Sequence, residues 1–310
     1  MRALLVVNPR ATSTTPLRRD VIARALASEL DLEVVETRYR GHAAKLAASA
    51  AADGFGLVLT LGGDGTVNEA VNGIMCPAGP AAPGTRPALA AIPGGSANVF
   101  SRALGLPPDP VDATGRILDA LSHGRFRRIG LGQAGDRYFA FNAGLGFDAE
   151  VVRAVEGLRA DGVPASAVLY FWTAVRHFFG VTDRRHPALT LERAGGEPEG
   201  HLFFCIVSNA APWTFLGSRP VNPSPEADFD AGLDLFALRK LTTVHTLGTL
   251  RRMLSKGGPP RGSGVLALHD EPCFTIRSER PIAFQVDGEY VGEVEQMTFR
   301  SVPAALRVVA

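Results

Sequence analysis

The segment from residue 57 to residue 74, LVLTLGGDGTVNEAVNGI, limits the fold of this chain more than any other. Its apolar run, 57–61, is short and ends at two glycines, which is typical of a central parallel strand buried on both faces. Thr66 then predicts a helix N-cap, and Glu69, three residues later, would complete a capping box. The segment therefore predicts a buried strand, a glycine loop and a helix in direct succession.

This glycine loop is suited to bind phosphate. Gly62, Gly63 and Gly65 allow backbone conformations and close approaches that a Cβ atom would obstruct. Backbone N–H groups and the following helix N-terminus both attract anions. Asp64 adds a carboxylate beside the expected phosphates, so a cation is expected between them. Glycines and a capping threonine also occur in ordinary strand-to-helix turns, so the pattern alone leaves a purely structural role open.

A second glycine loop follows the fourth predicted strand, 88–92. Its sequence, PGGSAN at residues 93–98, leads into a predicted helix at 97–104. Taken alone, this loop is a turn with Ser96 as the helix cap. Two such loops at the carboxyl ends of strands in one sheet mark the place where open α/β folds bind ligands.

The chain divides into two regions that differ in their pattern of apolar and turn residues. Up to about residue 128, short β-rich runs alternate with alanine-rich helical runs, which predicts a doubly wound, mostly parallel sheet. From 129 to 299, short apolar runs separated by Gly, Asp and Pro predict a mainly antiparallel, β-sandwich-like domain. Residues 300–310 are expected to return to the first domain, with a last strand at 304–309. A chain of 310 residues is long enough for two such cores.

The predicted elements follow from these patterns. In the first region, strands are expected near 3–7, 32–36, 57–61 and 88–92, helices near 16–29, 42–52, 66–74, 97–104 and 111–122, and a surface loop at 77–87. In the second region, strands are expected near 137–143, 187–193, 201–208, 233–238, 273–277, 282–286 and 290–299, and helices near 164–179 and 243–256. The aromatic face of the 164–179 helix is expected to pack in the core rather than line a lipid pocket or contact a membrane.

Composition limits the class of protein. Hydrophobic residues make up 46% and charged residues 20%, which is too apolar for a disordered chain. A formal net charge of +1 gives no global field toward nucleic acid or anionic lipid, so any membrane contact must be local. The three cysteines lack metal-ligand spacing and indicate reduced thiols in a cytoplasmic protein. The most apolar later stretch, 165–181, is too short to span a bilayer and contains Arg176 and His177.

The glycine loops resemble those of a known family. Residues 62–66, GGDGT, resemble the signature shared by diacylglycerol kinase-like lipid kinases and NAD kinases, and the continuation VNEAVNG is similar to the lipid kinase branch. Residues 93–102 resemble the family's Pro-Xaa-Gly-Thr-Xaa-Asn-Asp-Phe-Ala-Arg block. The matches are Pro93, Gly95, Asn98, Phe100 and Arg102, while Ser96 replaces Thr and Val99 replaces Asp.

Further matches run in family order along most of the chain. They are Asn8-Pro9, Thr37 with Gly41-His42-Ala43, the block from Asn142 to Asp148, Ser208-Asn209, and Asp287-Gly288-Glu289. The family's Asp-Asp-Gly block departs at Ala231, where relatives carry an Asp that helps to hold a structural magnesium, so that metal is not expected here. Asp287-Gly288 between two apolar runs also predicts a tight hairpin without reference to any family.

The resemblance implies an NAD kinase-like first domain, a β-rich second domain that binds lipid, and an active site in the cleft between them. It implies an ATP-dependent lipid kinase that uses Mg²⁺ held by Asp64. Catalytic roles fall to Asp64, Arg102 and Glu289. Glu289 is a candidate general base, and the sequence leaves open whether Asp64 takes that role instead. The implied nucleotide contacts are Asn8, Thr37, Gly62, Gly63, Asp64, Gly65, Thr66, Glu69, Gly94, Gly95, Ser96, Asn98 and Asp287.

Two other functions stay open on the sequence. One is an NAD kinase-like enzyme with a soluble acceptor, although Asn68-Glu69 and the block at 98–102 favour the lipid branch. The other is a nucleotide-binding regulator without activity, against which Asp64 and Glu289 argue. The expected partner is a lipid at a membrane surface, reached by transient association from the cytoplasm, with no nucleic acid. The sequence leaves the lipid and the oligomeric state open, a homodimer included.

Overall fold

The computed structural model describes residues 1–76, 86–161, 163, 167–255 and 260–310. Most of the predicted loop at 77–87 lies outside the described residues, as do residues 164–166 and 256 of two predicted helices. The chain forms two compact units. Unit 1 comprises Met1–Ile129 together with Ala304–Ala310, and unit 2 comprises Gly130–Pro303.

Unit 1 has a parallel sheet covered by helices. Its strands are β1 (Arg2–Val7), β2 (Asp31–Glu36), β3 (Leu57–Gly62) and β4 (Ala88–Pro93), and its helices are α1 (Pro16–Ala27), α2 (His42–Ala52), α3 (Asp64–Met75), α4 (Val99–Ala103) and α5 (Pro110–Ser122). The strands are parallel neighbours in the order β4-β3-β1-β2. The predicted parallel sheet is therefore confirmed, and the predicted strands agree with the observed ones to within one residue at each end.

Both faces of this sheet are covered. On one face, Leu5 and Leu59 pack with Ile22 of α1 and Ile117 of α5. Leu4, whose side chain points the other way, is also buried, and α2 and α3 contact β1 and β3. Because both faces are covered, β1, β3 and β4 are mainly hydrophobic rather than alternating, whereas the edge strand β2 is largely exposed.

Unit 2 is built mainly from antiparallel strands. Its elements, with the two strands that cross its boundaries, are β5 (Phe126–Ala134), β6 (Arg137–Phe139), β7 (Asn142–Leu145), α6 (Phe147–Ala160), α7 (Ala167–Gly180), β8 (Leu189–Glu192), β9 (Glu199–Leu202), β10 (Phe204–Ser208), β11 (Thr214–Leu216), β12 (Arg219–Val221), β13 (Leu233–Leu238), α8 (Thr243–Met253), β14 (Val265–Glu271), β15 (Cys273–Val286) and β16 (Glu289–Val309). The order β14-β13-β10-β7-β15-β16 is antiparallel throughout, as predicted. The last part of β16 belongs to unit 1, where Val308 pairs in parallel with Leu89 of β4.

Some predicted boundaries in unit 2 are wrong. The predicted strands 273–277 and 282–286 form one strand, β15, whose register against β16 shifts between Arg277 and Ile282. Helix α6 and the strands β5, β11, β12 and β14 were not predicted. Helix α6 starts directly after Gly146, which has a φ of +82°. The glycine was interpreted only as the turn that ends the preceding strand, so the helix that begins there was not predicted.

The aromatic helix α7 is only partly in the core. Phe178 is buried with residues of β10 and β13, as expected for a core helix. However, Trp172 is 63% exposed, Phe179 60% and Phe171 45%. The prediction that this aromatic face is plain core is therefore wrong for three of its residues. Among the described residues, no helix has the length and apolar character needed to cross a bilayer.

Candidate active site

The two glycine loops lie against each other in unit 1. They follow the adjacent strands β3 and β4, and the Gly94 N–H donates to the Gly62 carbonyl at 2.7 Å. A Cβ atom on Gly95 would lie 2.7 Å from the Cα of Gly63. Because real Cβ atoms do not approach backbone that closely, only glycine fits here without moving a loop.

Helix α3 begins two residues earlier than predicted. Its N-cap is Gly63, which has no side chain, and Asp64 is its first residue. Thr66 is therefore not the N-cap: it lies buried in the first turn, where its Oγ1 accepts from Asn8 Nδ2 at 3.1 Å. The first N–H groups of a helix have no acceptor within the helix, so this N-terminus can bind an anion.

Glu69 does not complete a capping box with Thr66. Its carboxylate accepts from the N–H groups of Gly41 at 2.7 Å and Ala43 at 3.0 Å, at the start of α2. The N-cap of α2 is Gly41, which has no side chain, so Glu69 provides the missing acceptor from the neighbouring helix. Glu69 thus fixes α2 against α3, and the nucleotide contact predicted for it stays a prediction.

Asn98, rather than Ser96, forms the N-cap of α4. Asn98 has a φ of +49°, a conformation that asparagine tolerates better than most residues. Its Oδ1 accepts from the Gly95 N–H and its Nδ2 donates to the Gly95 carbonyl, both at 2.8 Å. Ser96 is exposed. Asn98 therefore holds the second glycine loop in shape.

Asp64 joins the two loops. Its carboxylate oxygens accept from the N–H groups of Val99 at 3.0 Å and Phe100 at 3.1 Å, the first turn of α4. Burial raises the pKa of Asp64 to about 6, against the opposing effect of these backbone hydrogen bonds and of the Arg102 charge. The pKa of Arg102 is lowered by burial, and the Asp64 carboxylate opposes this change. A carboxylate and a guanidinium thus act on each other beside the glycine loops.

The other sequence-predicted residues of unit 1 follow β1 and β2. The Asn8 N–H donates to Leu61 at the end of β3, and the Asn8 Oδ1 accepts from the Arg10 N–H. The Thr37 N–H donates to the Val7 carbonyl at 2.8 Å. The structure therefore brings Asn8 against Thr66, next to the first loop.

Asp287 and Glu289 belong to unit 2. Asp287 and Gly288 both have positive φ, 47° and 76°, and connect β15 to β16, so the predicted hairpin is confirmed. The buried Asp287 carboxylate accepts from the N–H groups of residues 140, 141 and 142 at 2.7–3.1 Å. These bonds fix the hairpin that carries Glu289. The nucleotide contact predicted for Asp287 stays a prediction.

Glu289 is paired with a cation. Its Oε2 lies 2.9 Å from the Arg137 Nη2, and its side chain is 19% exposed. The carboxylate is therefore partly accessible while its charge is balanced. Sequence reasoning did not single out Arg137, because a lone arginine beside a short strand carries no local signal.

Sequence reasoning also missed Gln285, which lies at the centre of a buried polar network. Its Nε2 donates to Asn142 Oδ1 at 3.0 Å and to Asp148 Oδ2 at 2.6 Å, and its Oε1 accepts from the Gly288 N–H at 2.9 Å. A polar residue in the otherwise apolar end of β15 was the available signal. The network connects two blocks of the chain, around Asn142 and around Asp287, that resemble the lipid kinase family.

Comparisons with known proteins find relatives over most of this chain. The model of the diacylglycerol kinase catalytic domain matches residues 2–134. A protein from Chromohalobacter salexigens named "Probable lipid kinase YegS-like" is 37% identical over 287 residues, which cover 92% of this chain and 86% of the relative. This chain belongs to the diacylglycerol kinase catalytic domain family.

Other members of the family match over similar lengths. A diacylglycerol kinase from Staphylococcus aureus is 25% identical over 297 residues, covering 94% of this chain and 87% of that protein. The crystal structure of a diacylglycerol kinase from Bacillus anthracis has a TM-score of 0.71 and 20% identity, covering 99% of this chain and 96% of that chain. At this identity the structural match shows the shared fold: parallel strands in the N-terminal part and antiparallel strands in the C-terminal part.

The residues of unit 1 fit a nucleotide phosphate chain. The contact between Gly95 and Gly63 leaves no room for a Cβ atom. The first N–H groups of α3 have no acceptor within the helix. No group of three His, Cys, Asp or Glu side chains that could hold a metal occurs in the part of the chain that the structure describes. Mg²⁺ in kinases is commonly bound by one or two carboxylates together with substrate phosphates, and Asp64 suits such a site.

We expect Gly95→Ala to weaken ATP binding while the protein stays folded. The new methyl group would meet the Gly63 backbone, and overpacking of this kind costs about 1–3 kcal/mol. If that strain is relieved by moving the loops, ATP binding weakens roughly 5- to 150-fold. Isothermal titration with ATP measures the change. Gly115→Ala in α5, where a Cβ would have open space, is the matched control and should bind as the unchanged protein does.

We expect Asp148 to make stability fall with rising pH. Burial raises the pKa of Asp148 to about 6 from an ordinary value of 3.8. The folded protein thus holds this proton more tightly than the unfolded chain does. The resulting contribution of Asp148 to the free energy of unfolding is up to about 3 kcal/mol. It is fully present below about pH 4 and is lost as pH rises to about 6. Urea unfolding at several pH values should show a flatter pH dependence for Asp148→Asn. If the free energy of unfolding of the two proteins depended equally on pH, Asp148 would not be the source of this pH dependence.

Proposed function

We propose that this protein is an ATP-dependent lipid kinase that transfers the γ-phosphoryl group to a hydroxyl of a lipid such as diacylglycerol or a sphingoid base. The observation that carries the proposal is the backbone contact between the two glycine loops beside the start of α3, with Asp64 bound to α4 across them. The names of the relatives from Chromohalobacter salexigens and Staphylococcus aureus support the lipid class of acceptor.

The residues of unit 1 are proposed to bind and orient the phosphates of ATP. The first N–H groups of α3 and the loops at Gly62–Gly65 and Gly94–Asn98 surround the phosphates, where fixed dipoles stabilise the charge that develops in transfer. Arg102 adds a positive charge on the transferred group. When bound, Mg²⁺ would neutralise phosphate charge, and Asp64 is the residue that would hold it.

Glu289 is proposed as the general base. The acceptor oxygen attacks the γ-phosphorus, the bond from phosphorus to the β–γ bridging oxygen breaks, ADP leaves, and the hydroxyl proton passes to the Glu289 carboxylate. The Arg137 pair and the rigid hairpin hold that carboxylate in one orientation. The predicted location of the reaction, in a cleft between two domains, stays a prediction.

The test is transfer of label from γ-³²P-ATP to a panel of acceptors. The panel comprises diacylglycerol, sphingosine, ceramide and phosphatidylglycerol in mixed micelles, and NAD in solution, each with and without Mg²⁺. We expect one lipid to be labelled in the presence of Mg²⁺. Label in NAD alone would replace the proposal by an NAD kinase-like activity. ATP binding without transfer to any acceptor would favour a nucleotide-binding regulator.

A further inference from the structure

Helices α7 and α8 of unit 2 present large apolar side chains to solvent. On α8, Val244 is 85% exposed and Leu247 61%. The exposed apolar residues of the two helices, which we call the α7–α8 face, are Val168, Phe171, Trp172, Phe179, Val244 and Leu247. Large exposed apolar groups on neighbouring elements mark an interaction surface more often than an ordinary solvent-facing surface.

On α7 these residues form one stripe. Val168, Phe171, Trp172 and Phe179 are spaced by three, four and eleven residues from the first, which places them on the same side of a helix. Phe178, seven residues after Phe171 and therefore at the same edge of the stripe, is buried in the core of unit 2. The core therefore covers one edge of this side of α7, at Phe178, and leaves Phe171, Trp172 and Phe179 exposed to solvent.

The two helices are connected by packing. Phe178 of α7 and Met253 of α8 belong to the same hydrophobic cluster. Phe179 at the end of α7 and Thr242 at the start of α8 line the same open depression, of about 380 Å³. The stripe of α7 and the exposed residues of α8 are thus fixed relative to each other within unit 2.

Charge at this face has one sign. Neither α7 nor α8 contains an Asp or Glu, while their exposed residues include Arg176, Arg251 and Arg252. Just beyond α7, the guanidinium of Arg184 lies 5.6 Å from the centre of the Phe179 ring. The nearest acidic residue along the chain, Asp183, contacts His186 at 2.8 Å and Arg280 at 3.5 Å, so its charge is balanced.

We propose that the α7–α8 face docks on the surface of a bilayer that contains anionic lipid. Aromatic and aliphatic side chains beside arginines, without carboxylates, are the combination that interfacial helices use to enter the headgroup region. Anionic headgroups attract the arginines, and the amphipathic indole of Trp172 suits the interface. This inference deepens the proposed function, on which it rests, because it names the surface through which the lipid kinase reaches its acceptor.

Trp172 gives a direct test. The chain has two tryptophans, so Trp213→Phe leaves Trp172 as the only reporter. We expect its emission to shift to the blue, and its quenching by iodide to fall, on addition of phosphatidylcholine vesicles that contain phosphatidylglycerol. Vesicles of phosphatidylcholine alone should give a smaller effect. Vesicle binding that leaves Trp172 emission unchanged would place the contact elsewhere and overturn the proposal.

Variants locate the surface independently. Phe171→Ser with Phe179→Ser should weaken partition into the anionic vesicles, measured by sedimentation, at least about tenfold. Arg184→Glu with Arg185→Glu should weaken it roughly tenfold or more, and only where anionic lipid is present. The matched control is Leu17→Ser with Val21→Ser on α1, two other exposed apolar residues, which should partition like the parent protein. Equal partition of all three variants would overturn the proposal.

Two further outcomes are informative. If Trp172 is shielded without vesicles and sedimentation equilibrium shows a dimer that Phe171→Ser with Phe179→Ser abolishes, the face binds a second copy and the proposal is overturned. Failure of the kinase proposal is distinguishable: it would appear as vesicle binding through Trp172 without labelling of any lipid. Labelling of lipid without vesicle binding would overturn the docking surface alone.

Discussion

Asp64→Asn is expected to lower kcat for phosphoryl transfer by about 10²- to 10⁴-fold, the range found when a charged group at a reacting centre is removed. Asp64 is the only carboxylate of the GGDGT loop, and its two oxygens bind the first turn of α4. The amide of asparagine has one acceptor oxygen, so the variant loses both the charge and one of these hydrogen bonds. Transfer of label from γ-³²P-ATP under saturating substrate measures the change.

Asp109→Asn provides the control for Asp64→Asn. Asp109 also caps a helix with its carboxylate, but Oδ1 alone accepts from Val111 and Asp112 at the start of α5, and asparagine can keep that geometry. Asp109→Asn should therefore retain activity. Retained activity in Asp64→Asn, with Tm equal to that of the unchanged protein, would exclude Asp64 from the chemistry.

The pH profile supplies a second measure of Asp64. With a pKa of about 6, Asp64 is mainly ionised above pH 6 and mainly protonated below it. If the ionised form holds Mg²⁺, kcat/KM should fall as pH drops through about 6, well above the ordinary range of an aspartate. A profile that stays flat down to pH 5 would show that the ionised carboxylate is not needed.

Glu289→Gln is expected to lower kcat by about 10²- to 10⁴-fold with little change in the KM for ATP, because a general base acts on the acceptor proton. The substitution keeps the size of the side chain and removes its capacity to take a proton. It also removes the negative charge that the Arg137 Nη2 contacts at 2.9 Å. Steady-state kinetics with ATP and with the acceptor lipid as the varied substrate separate kcat from KM.

Glu293→Gln is the matched control for Glu289→Gln. Glu293 lies on the same strand and pairs with Arg153 at 3.0 Å, but the side chains of both residues are about half exposed. Exposed ion pairs of this kind contribute about 0–1 kcal/mol, so the control should keep both kcat and stability. Equal losses in the two variants would indicate a structural effect of the strand rather than a base.

Local sequence signals predicted the parallel sheet of unit 1 and the hairpin at Asp287-Gly288. Buried strands with apolar residues on both faces and a two-residue Asp-Gly turn depend on neighbours in the chain, so their patterns are visible without a structure. The same reasoning located both glycine loops. It failed at the caps, because it assigned Thr66 and Ser96 by residue type while the backbone placed Gly63 and Asn98 there.

Contacts between distant parts of the chain could not be predicted from the sequence. Glu69 binds Gly41, 28 residues away, and Gln285 binds Asp148, 137 residues away. Both contacts depend on how elements pack, and no local pattern encodes their geometry. The exposure of Trp172 on the helix that buries Phe178 is of the same kind, since the apolar stripe alone does not say how much of it the core covers.

The sequence by itself determined the class of fold, the order of the glycine loops and the family, because these depend on short patterns in fixed order. Only the tertiary structure decided that the two loops touch, that Asp64 binds the start of α4, and that Glu289 is paired with Arg137. Those contacts join residues that are far apart in the chain. Which residues meet is determined by packing and hydrogen bonding in the folded protein, and residue type alone does not specify it.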